Sequence, residues 1–245
     1  MLAQTVLTSH VDPNTASDAL PLARKLDRNA VETVLRAHYP RVCRIALALC
    51  GRQSAGKQAA ATVMRQSLKT LPWWSNNAEA SNWFMHHTIL TTREFTGPTP
   101  DASEDCLVLT LKTPSPQHIA FVKTLRLLPP QQREAFLLLR GEHLDPRQAA
   151  VAMDCSTGAA ANHLIAATKT LSEIAANTFD ARVAELVRVY ASLTPPEDLI
   201  VGNISRITRQ LRHQRFRKIF RHILLLAILA ALGWTIWRLS KMIIL

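Results

Sequence analysis

The sequence contains few glycines and few signs of β-structure. Only seven of its 245 residues are glycine, and sustained alternation of apolar and polar residues is hard to find. Such alternation is the pattern of a half-buried strand. Alanine, leucine, arginine and glutamine are frequent instead, and all four residue types favour helices. We therefore predict an all-α protein of one or two compact domains.

The residues used for metal binding and catalysis are not found in their usual arrangements. The four cysteines form no C-x-x-C pair and no Cys/His cluster with the spacing of a zinc site. No Gly-rich phosphate loop, nucleophile motif or catalytic pair of carboxylates is recognisable. We therefore predict neither an enzyme nor a bound metal or cofactor. The cysteines are interpreted as small core residues in a reducing compartment: Cys43, Cys50, Cys106 and Cys155.

Positive charge is concentrated near the C-terminus. Nine lysines and arginines lie between Asn203 and Lys241, where no acidic residue occurs, and they account for most of the net charge of +11. The N-terminus is different, because it is polar through Asp18 and lacks a continuous apolar core. We therefore expect no signal peptide.

The basic C-terminal region contains a long uncharged stretch, ILLLAILAALGWTIW, at residues 223–237. A helix over residues 219–240 would be long enough for a hydrocarbon core of about 30 Å. Arg221 could extend to the headgroups, and Trp234 and Trp237 lie near one end, as interfacial aromatic residues do. A buried soluble helix or an interfacial helix fits less well, because the stretch has no polar face. We predict a single transmembrane helix at the cytoplasmic membrane, with the N-terminal bulk in the cytoplasm.

The stretch from residue 143 to residue 171 has the pattern of a helix-turn-helix. Asp145 followed by Pro146 predicts a helix start, because a carboxylate caps free backbone N–H groups and proline suits the first helical position. Residues 154–156 form a short turn, in which Ser156 can cap the second helix. An ordinary helical hairpin is the alternative, but the tight spacing and small residues favour the DNA-binding motif. The apolar residues that recur at helical spacing are Ala149, Ala150, Met153, Ala160, Leu164, Ala167 and Leu171.

The remaining chain divides by composition. Helical periodicity begins near Asn29, and four prolines within residues 97–117 indicate a linker. A further amphipathic helix follows the helix-turn-helix and ends before two prolines. The predicted segments are a flexible tail (1–28), a helical domain (29–96), a Pro-rich linker (97–117), a helix-turn-helix domain (118–175), amphipathic and basic juxtamembrane helices (176–218) and the transmembrane helix (219–240).

The order of these parts resembles that of bacterial sigma factors of the extracytoplasmic-function group. The family pattern L-x-x-L-P-x-x-x-R, followed by a helix-turn-helix, is matched by Leu125, Leu128, Pro129 and Arg133. Upstream, residues 29–96 are similar to the promoter-melting domain, called region 2. The resemblance implies a region 2-like domain followed by a region 4-like domain, with RNA polymerase core and promoter DNA as partners.

The polymerase-facing positions depart from the family pattern. At the stretch where the family presents acidic and amide groups to the polymerase, this chain has Lys57, Gln58, Ala61 and Thr62. The resemblance makes these four residues the candidate polymerase contacts. Because the carboxylates are absent, we predict weak or absent binding to core polymerase.

The recognition helix departs in a similar way. Two positions usually held by lysine or arginine are Ala161 and Ala166, and neither side chain can donate a hydrogen bond to a base or phosphate. Asn162 could pair with adenine and Lys169 could reach a phosphate. The candidate DNA-binding residues are Ser156, Thr157, Ala161, Asn162, His163, Ile165 and Lys169.

The first helical domain combines basic and aromatic residues. Residues 29–94 contain eight bases and three acids, and aromatic rings among bases can hold a nucleic-acid strand by stacking. In the alternative, Trp83 and Phe84 belong to the core and only Trp73 and Trp74 are partly exposed. No third ligand is found for the neighbouring histidines at positions 86 and 87.

Two functions remain open from the sequence. The first is a membrane-tethered, sigma-factor-like transcription regulator that acts through RNA polymerase and promoter DNA. The alternative is a degenerate sigma-like scaffold, anchored in the lipid bilayer, that binds a regulatory protein partner without sequence-specific DNA recognition.

The uncharged C-terminal stretch leads to the first testable prediction. The full-length protein should stay with membranes after washing with high salt and with carbonate, because a spanning helix is held by the hydrocarbon core. A chain that ends at Asn203 should be found in the supernatant. Release of the full-length protein by salt alone would show adsorption to the membrane surface and contradict the spanning helix.

Overall fold

The computed structural model describes residues 13–95 and 104–209, which divide between two units, Met1–Ile204 and Ser205–Leu245. No strand occurs among these residues, so the all-α prediction is confirmed for this part of the chain. The predicted transmembrane helix lies outside the described residues. Within the described ranges, no helix has both the length and the apolar character needed to cross a bilayer.

The N-terminal lobe consists of the four α-helices within residues 13–95. Helix α2 packs against the other three, and α3 and α4 also contact each other. A 3-10 turn, Leu71–Trp73, connects α3 to the chain that leads into α4. The helices are α1 (Pro13–Arg24), α2 (Arg28–Cys50), α3 (Gln53–Thr70) and α4 (Asn77–Phe95).

Helix α1 contradicts the predicted flexible tail at residues 13–24, whereas residues 1–12 of that tail lie outside the described residues. Residues 13–24 are helical, and Ala16, Leu20 and Ala23 are buried. Their spacing of four and three residues places them on one face of the helix, which packs on α2. The stripe gives little sequence signal because it is short and two of its three members are alanines. The other segment boundaries stay predictions.

Between Cys106 and Ser192, the C-terminal lobe contains six α-helices, and residues 197–209 are also helical. Helices α6, α7 and α8 all pack against α9. Helix α7 continues into a π-helical segment, Leu137–Gly141, and a 3-10 turn, Ala176–Thr178, connects α9 to α10. The helices are α5 (Cys106–Leu109), α6 (Pro116–Leu127), α7 (Pro130–Phe136), α8 (Pro146–Met153), α9 (Thr157–Ala175) and α10 (Phe179–Ser192).

One continuous apolar core connects the two lobes. Ile45 of α2 and Ile89 of α4 belong to the same buried cluster as Leu138, Ala149 and Met153 of the C-terminal lobe. Because these residues exclude water together, the helix-turn-helix is packed against the N-terminal lobe in this structure.

The cysteines have the role that was predicted for them. Cys43, Cys50 and Cys106 are buried, and Cys155 is partly buried. Burial raises the pKa of the Cys43, Cys50 and Cys106 thiols to about 11. These three residues are therefore protonated, apolar core groups at neutral pH.

A buried ion pair connects the predicted linker to both lobes. Asp105 is paired with Arg126 of α6, and its carboxylate also accepts a hydrogen bond from the Leu107 backbone N–H at 2.8 Å. Arg126 Nη1 donates to the Leu49 carbonyl at 3.0 Å. Gly51 lies against this pair with a φ of 73°, and a Cβ there would lie 2.8 Å from Asp105 Oδ2. The end of α2 therefore requires glycine.

The buried pair provides a test of the fold. Asp105→Asn should lower the free energy of unfolding by about 3–5 kcal/mol, because it leaves the Arg126 guanidinium buried without its counter-charge. Urea unfolding of the full-length protein in mild detergent, followed by circular dichroism, measures the change. Glu104→Gln removes the same charge at the exposed neighbouring position and should change stability little. Equal stability of the two variants would contradict the role assigned to the pair.

Candidate nucleic-acid interface

The helix-turn-helix forms as predicted from its capping residues. The Asp145 carboxylate accepts a hydrogen bond from the Gln148 backbone N–H at 2.8 Å, and the Gln148 side chain accepts from the Asp145 N–H at 3.3 Å. This reciprocal pair is a capping box that starts α8. Ser156 starts α9, since its hydroxyl accepts from the Ala159 N–H at 3.1 Å.

The turn between the two helices is closed by Asp154. This residue adopts the left-handed conformation, with φ 56° and ψ 52°, which aspartate tolerates better than most side chains. Ala160, Ala167 and Leu171 of α9 are then buried, and Leu164 is partly buried. The predicted apolar stripe is therefore the face by which α9 packs.

The opposite face of α9 presents the candidate DNA-binding residues. Thr157, Asn162 and Lys169 are exposed, and the side chain of Ile165 has 65% exposure. Ala161 and His163 are partly exposed, whereas the hydroxyl of Ser156 is used in the helix cap. The outward face thus carries the amide of Asn162, the ammonium group of Lys169 and, at its centre, the side chain of Ile165. This is a small set of groups for reading base edges, which requires several donors and acceptors.

The candidate polymerase contacts lie on one side of α3. Lys57 and Gln58 are exposed, whereas Ala61 and Thr62 are partly buried. Arg65 Nη2 donates to Thr62 Oγ1 at 3.2 Å, so this hydroxyl is engaged within the helix. Lys57 also lines a groove of about 410 Å³, whose apolar lining includes Leu47, Cys106, Leu109, Leu193 and Leu199.

The aromatic residues of the N-terminal lobe separate into an exposed and a packed set. Trp73 is 82% exposed, whereas Trp74 is only 4% exposed and packs on Trp83 and Phe84 with ring centroids 5.4 and 5.3 Å away. The expected exposure of the Trp73–Trp74 pair is therefore correct for Trp73 only. Arg24 Nε donates to the carbonyl of Pro72 at 3.3 Å, which brings a guanidinium group to the turn that carries Trp73.

The histidines of this lobe are packing residues. His38 stacks on Phe84 at 4.6 Å, and its Nε2 lies 3.2 Å from Asn77 Oδ1. Burial lowers the pKa of His38 to about 4, so its ring is neutral at pH 7. His87 packs on Trp83 at 4.1 Å. Across residues 13–95 and 104–209, no group of histidine, cysteine and carboxylate side chains is arranged to hold a metal ion.

Sequence reasoning missed a cluster around Glu142. Glu142 follows the π-helical segment and accepts hydrogen bonds from Arg41 Nε at 2.9 Å and Arg44 Nε at 2.8 Å. The Tyr190 hydroxyl also donates to it at 2.9 Å, and burial raises the pKa of Tyr190 well above its ordinary value. About a hundred residues separate Glu142 from the two arginines, so no local pattern could have indicated the cluster.

A second missed contact joins Glu134 of α7 to Arg93 of α4. Arg93 donates through Nε at 2.8 Å and through Nη2 at 2.7 Å, one bond to each carboxylate oxygen. This two-point geometry is the strong form of the arginine–carboxylate pair. Together with the Glu142 cluster, it places charged contacts between the lobes beside the shared apolar core.

The geometry of α8, the turn and α9 defines a helix-turn-helix protein. Residues 118–171, which include α7, α8 and most of α6 and α9, match the family described as Sigma-70, region 4. No curated protein and no solved structure matches the chain. The match covers less than half of the chain, and the family that it names is a transcription-factor family rather than an enzyme family.

The small set of polar groups on α9 leads to a prediction about DNA binding. Ala161→Arg with Ala166→Arg should strengthen binding to duplex DNA, and should steepen its salt dependence by about 0.9 for each added phosphate contact. Titrations of a random-sequence duplex library at two salt concentrations measure both quantities, with the chain ending at Ile204 so that the basic C-terminal region is absent.

The control variant carries the same two added arginines on α10 instead of α9. Ala181 and Ala184 are exposed on α10, and arginine at both positions adds two charges away from α9. This control should strengthen binding less than the α9 variant. Tight and selective binding by the unmodified chain would contradict the prediction of a weak reader.

Proposed function

We propose that this protein is a membrane-tethered, sigma-factor-like transcription regulator of the extracytoplasmic-function type. The observation that carries the proposal is the intact helix-turn-helix of α8 and α9 within the stretch that matches Sigma-70, region 4. Its caps and buried stripe supply the fold on which the family's activity depends. In this role, α9 faces the promoter DNA.

The N-terminal lobe would supply the second nucleic-acid contact. Trp73 offers an exposed ring on which an unpaired base can stack, and Arg24 lies at the same turn. Such a contact favours a separated strand over duplex DNA, because only an unpaired base leaves its ring face accessible. This corresponds to the promoter-melting role that the resemblance implies for a region 2-like domain.

The proposed tether is the apolar segment 219–240 with its basic flank. A membrane anchor restricts the protein to a thin layer beside the bilayer, which changes the effective concentration at which its domains meet partners. This effect would compensate in part for the small number of DNA-reading side chains on α9.

The second candidate is a membrane-anchored scaffold that binds a regulatory protein partner. The exposed Ile165 at the centre of the outward face of α9 supports it, since protein interfaces use apolar centres more than DNA interfaces do. The two functions differ in their requirement for DNA and polymerase, so binding measurements separate them.

Binding to core polymerase tests the proposed function. We expect weak binding of the full-length protein, because Lys57 stands where an acidic contact is implied. Lys57→Glu should strengthen binding about tenfold, a change of about 1.4 kcal/mol that is reasonable for one charged contact. Lys123→Glu, at an exposed position of α6, is the control for charge reversal and should leave binding unchanged.

Pull-down with detergent-solubilised protein at physiological salt measures the binding. A stable complex of the unmodified protein would show that other residues supply the polymerase contact. Absence of binding by both the unmodified protein and Lys57→Glu, together with absence of DNA binding, would favour the scaffold.

A further inference from the structure

A groove of about 410 Å³ lies where the end of α2, the first turns of α3, helix α5 and the chain after α10 meet. Most of the residues that line it are apolar. Small-molecule sites in proteins are concave, predominantly apolar and about 300–1,000 Å³ in volume, with a few polar groups that orient the ligand. The groove therefore has the size and the composition of a ligand site.

Two leucines of the groove remain open to water. Leu109 of α5 is 64% exposed, and Leu199 in the helix at residues 197–209 is 49% exposed. The buried part of the lining consists of Leu47, Cys106 and Leu193. Because removal of apolar surface from water is favourable, these five side chains favour a ligand with an apolar body.

The hydroxyl groups of the groove already use their hydrogens within the protein. Thr110, Ser192 and Thr194 each donate to a backbone carbonyl three or four residues earlier, at 2.6, 2.7 and 3.0 Å. A hydroxyl group has only one hydrogen to donate. These three residues therefore do not supply the donors that a ligand would need.

The remaining donors of the groove are the side chains of Lys57 and Gln53, both on α3 and both exposed. Across residues 13–95 and 104–209, neither side chain has a hydrogen-bond or ion-pair partner. An ammonium group and an amide can both donate to the same anion. The polar end of the groove is therefore suited to a negatively charged group.

The acidic residues near the groove do not neutralise Lys57. Asp105 is buried and paired with Arg126. Glu197 and Asp198 are exposed and are not part of the lining, and no ion pair joins either of them to Lys57 in the described part of the chain. The lining thus combines one positive charge with apolar walls and contains no carboxylate.

We propose that this groove binds a free carboxylic acid with an apolar tail, whose carboxylate accepts hydrogen bonds from Lys57 and Gln53 and whose tail lies against the leucines. One ammonium group balances one negative charge, which suits a carboxylate better than a phosphate dianion. Its hydrogen bond to a carboxylate is also stronger than a bond between neutral groups. A bound acid would occupy Lys57, which is also a candidate polymerase contact, but the site itself requires neither polymerase nor DNA.

Photolabelling tests the site in the full-length protein, held in nanodiscs of neutral lipid. The probe is octanoic acid with a diazirine on its tail, and mass spectrometry of peptides identifies the labelled residues. Probe dissolved in the bilayer labels other parts of the chain, so only labels within the groove are counted. We expect labels at Leu109 and Leu199, because the tail lies against them.

Competition separates the charge of the ligand from its tail. Unlabelled octanoate should remove the labels in the groove. Octanol has the same tail without the charge, so it should compete about tenfold less well, as expected for the loss of a charged hydrogen bond. Acetate, which has the charge without the tail, should not compete at the same concentration.

Variants at exposed positions test the assigned donor and the assigned walls. Lys57→Gln should weaken competition by octanoate about tenfold, and Lys57→Arg should retain most of it, because the positive charge remains. Lys123→Gln, at an exposed position of α6, is the control and should leave competition unchanged. Leu109→Ser with Leu199→Ser should weaken competition by octanoate and by octanol alike.

Two results would overturn the site. Equal competition by octanoate and octanol, together with equal labelling of Lys57→Gln and the unmodified protein, would show apolar adsorption only. Absence of labels within the groove would show that no free acid binds there, as expected if a protein segment fills the groove. Neither result affects the proposed function, which depends on DNA and polymerase binding.

Hydrogen exchange supplies a measurement that does not depend on a variant. In the unmodified protein, saturating octanoate should slow exchange in α5 and at the start of the helix at residues 197–209, because a ligand that binds the folded groove disfavours local opening. Acetate at the same concentration is the control and should have no effect. Unchanged exchange in both elements with octanoate overturns the site.

Discussion

The burial of two glutamates between the lobes is the constraint on which the arrangement of this protein depends. Glu142 and Glu134 are almost fully removed from water, and their counter-charges come from α2 and α4. Neither carboxylate could be buried there without those arginines. The π-helical segment contributes by its geometry, because the Glu142 N–H donates to the Leu137 carbonyl at 3.0 Å, one residue further than in an α-helix. Glu142 therefore lies at the end of the π-helical segment, where its carboxylate contacts α2.

The residues that fold the helix-turn-helix are separate from the residues on its outward face. The capping box at Asp145, the cap at Ser156 and the buried alanines of α9 act within a short stretch of chain. They do not depend on which side chains point away from the core. Alanine at positions 161 and 166 therefore leaves the motif folded and offers no side-chain donor to phosphates and bases. The folding of this motif and its recognition of DNA therefore depend on different residues.

The elements that could be predicted from the sequence are those with local signals. The helix starts at Asp145 and Ser156, the apolar stripe of α9 and the core position of the cysteines follow from patterns within a few residues. Helix α1 has no comparable signal, because its buried stripe contains two alanines and a single leucine, a composition that also fits a polar tail. The separate environments of Trp73 and Trp74 have no local sequence signal either, since Trp73 ends the 3-10 turn and Trp74 follows it with an extended backbone.

Local sequence patterns suffice for the caps of α8 and α9, for the helix-turn-helix that these two helices form and for the chemical identity of the groups on its outward face. These properties depend on backbone hydrogen bonds and side-chain periodicity within one element, so they can be read without knowledge of distant residues. Which of the positive charges are paired depends instead on the packing of the two lobes. The sequence shows no partner for three arginines of the N-terminal lobe, Arg41, Arg44 and Arg93. Packing of the two lobes brings buried carboxylates to them from distant parts of the chain. Electrostatic pairing depends on distance in space, which the order of residues does not specify.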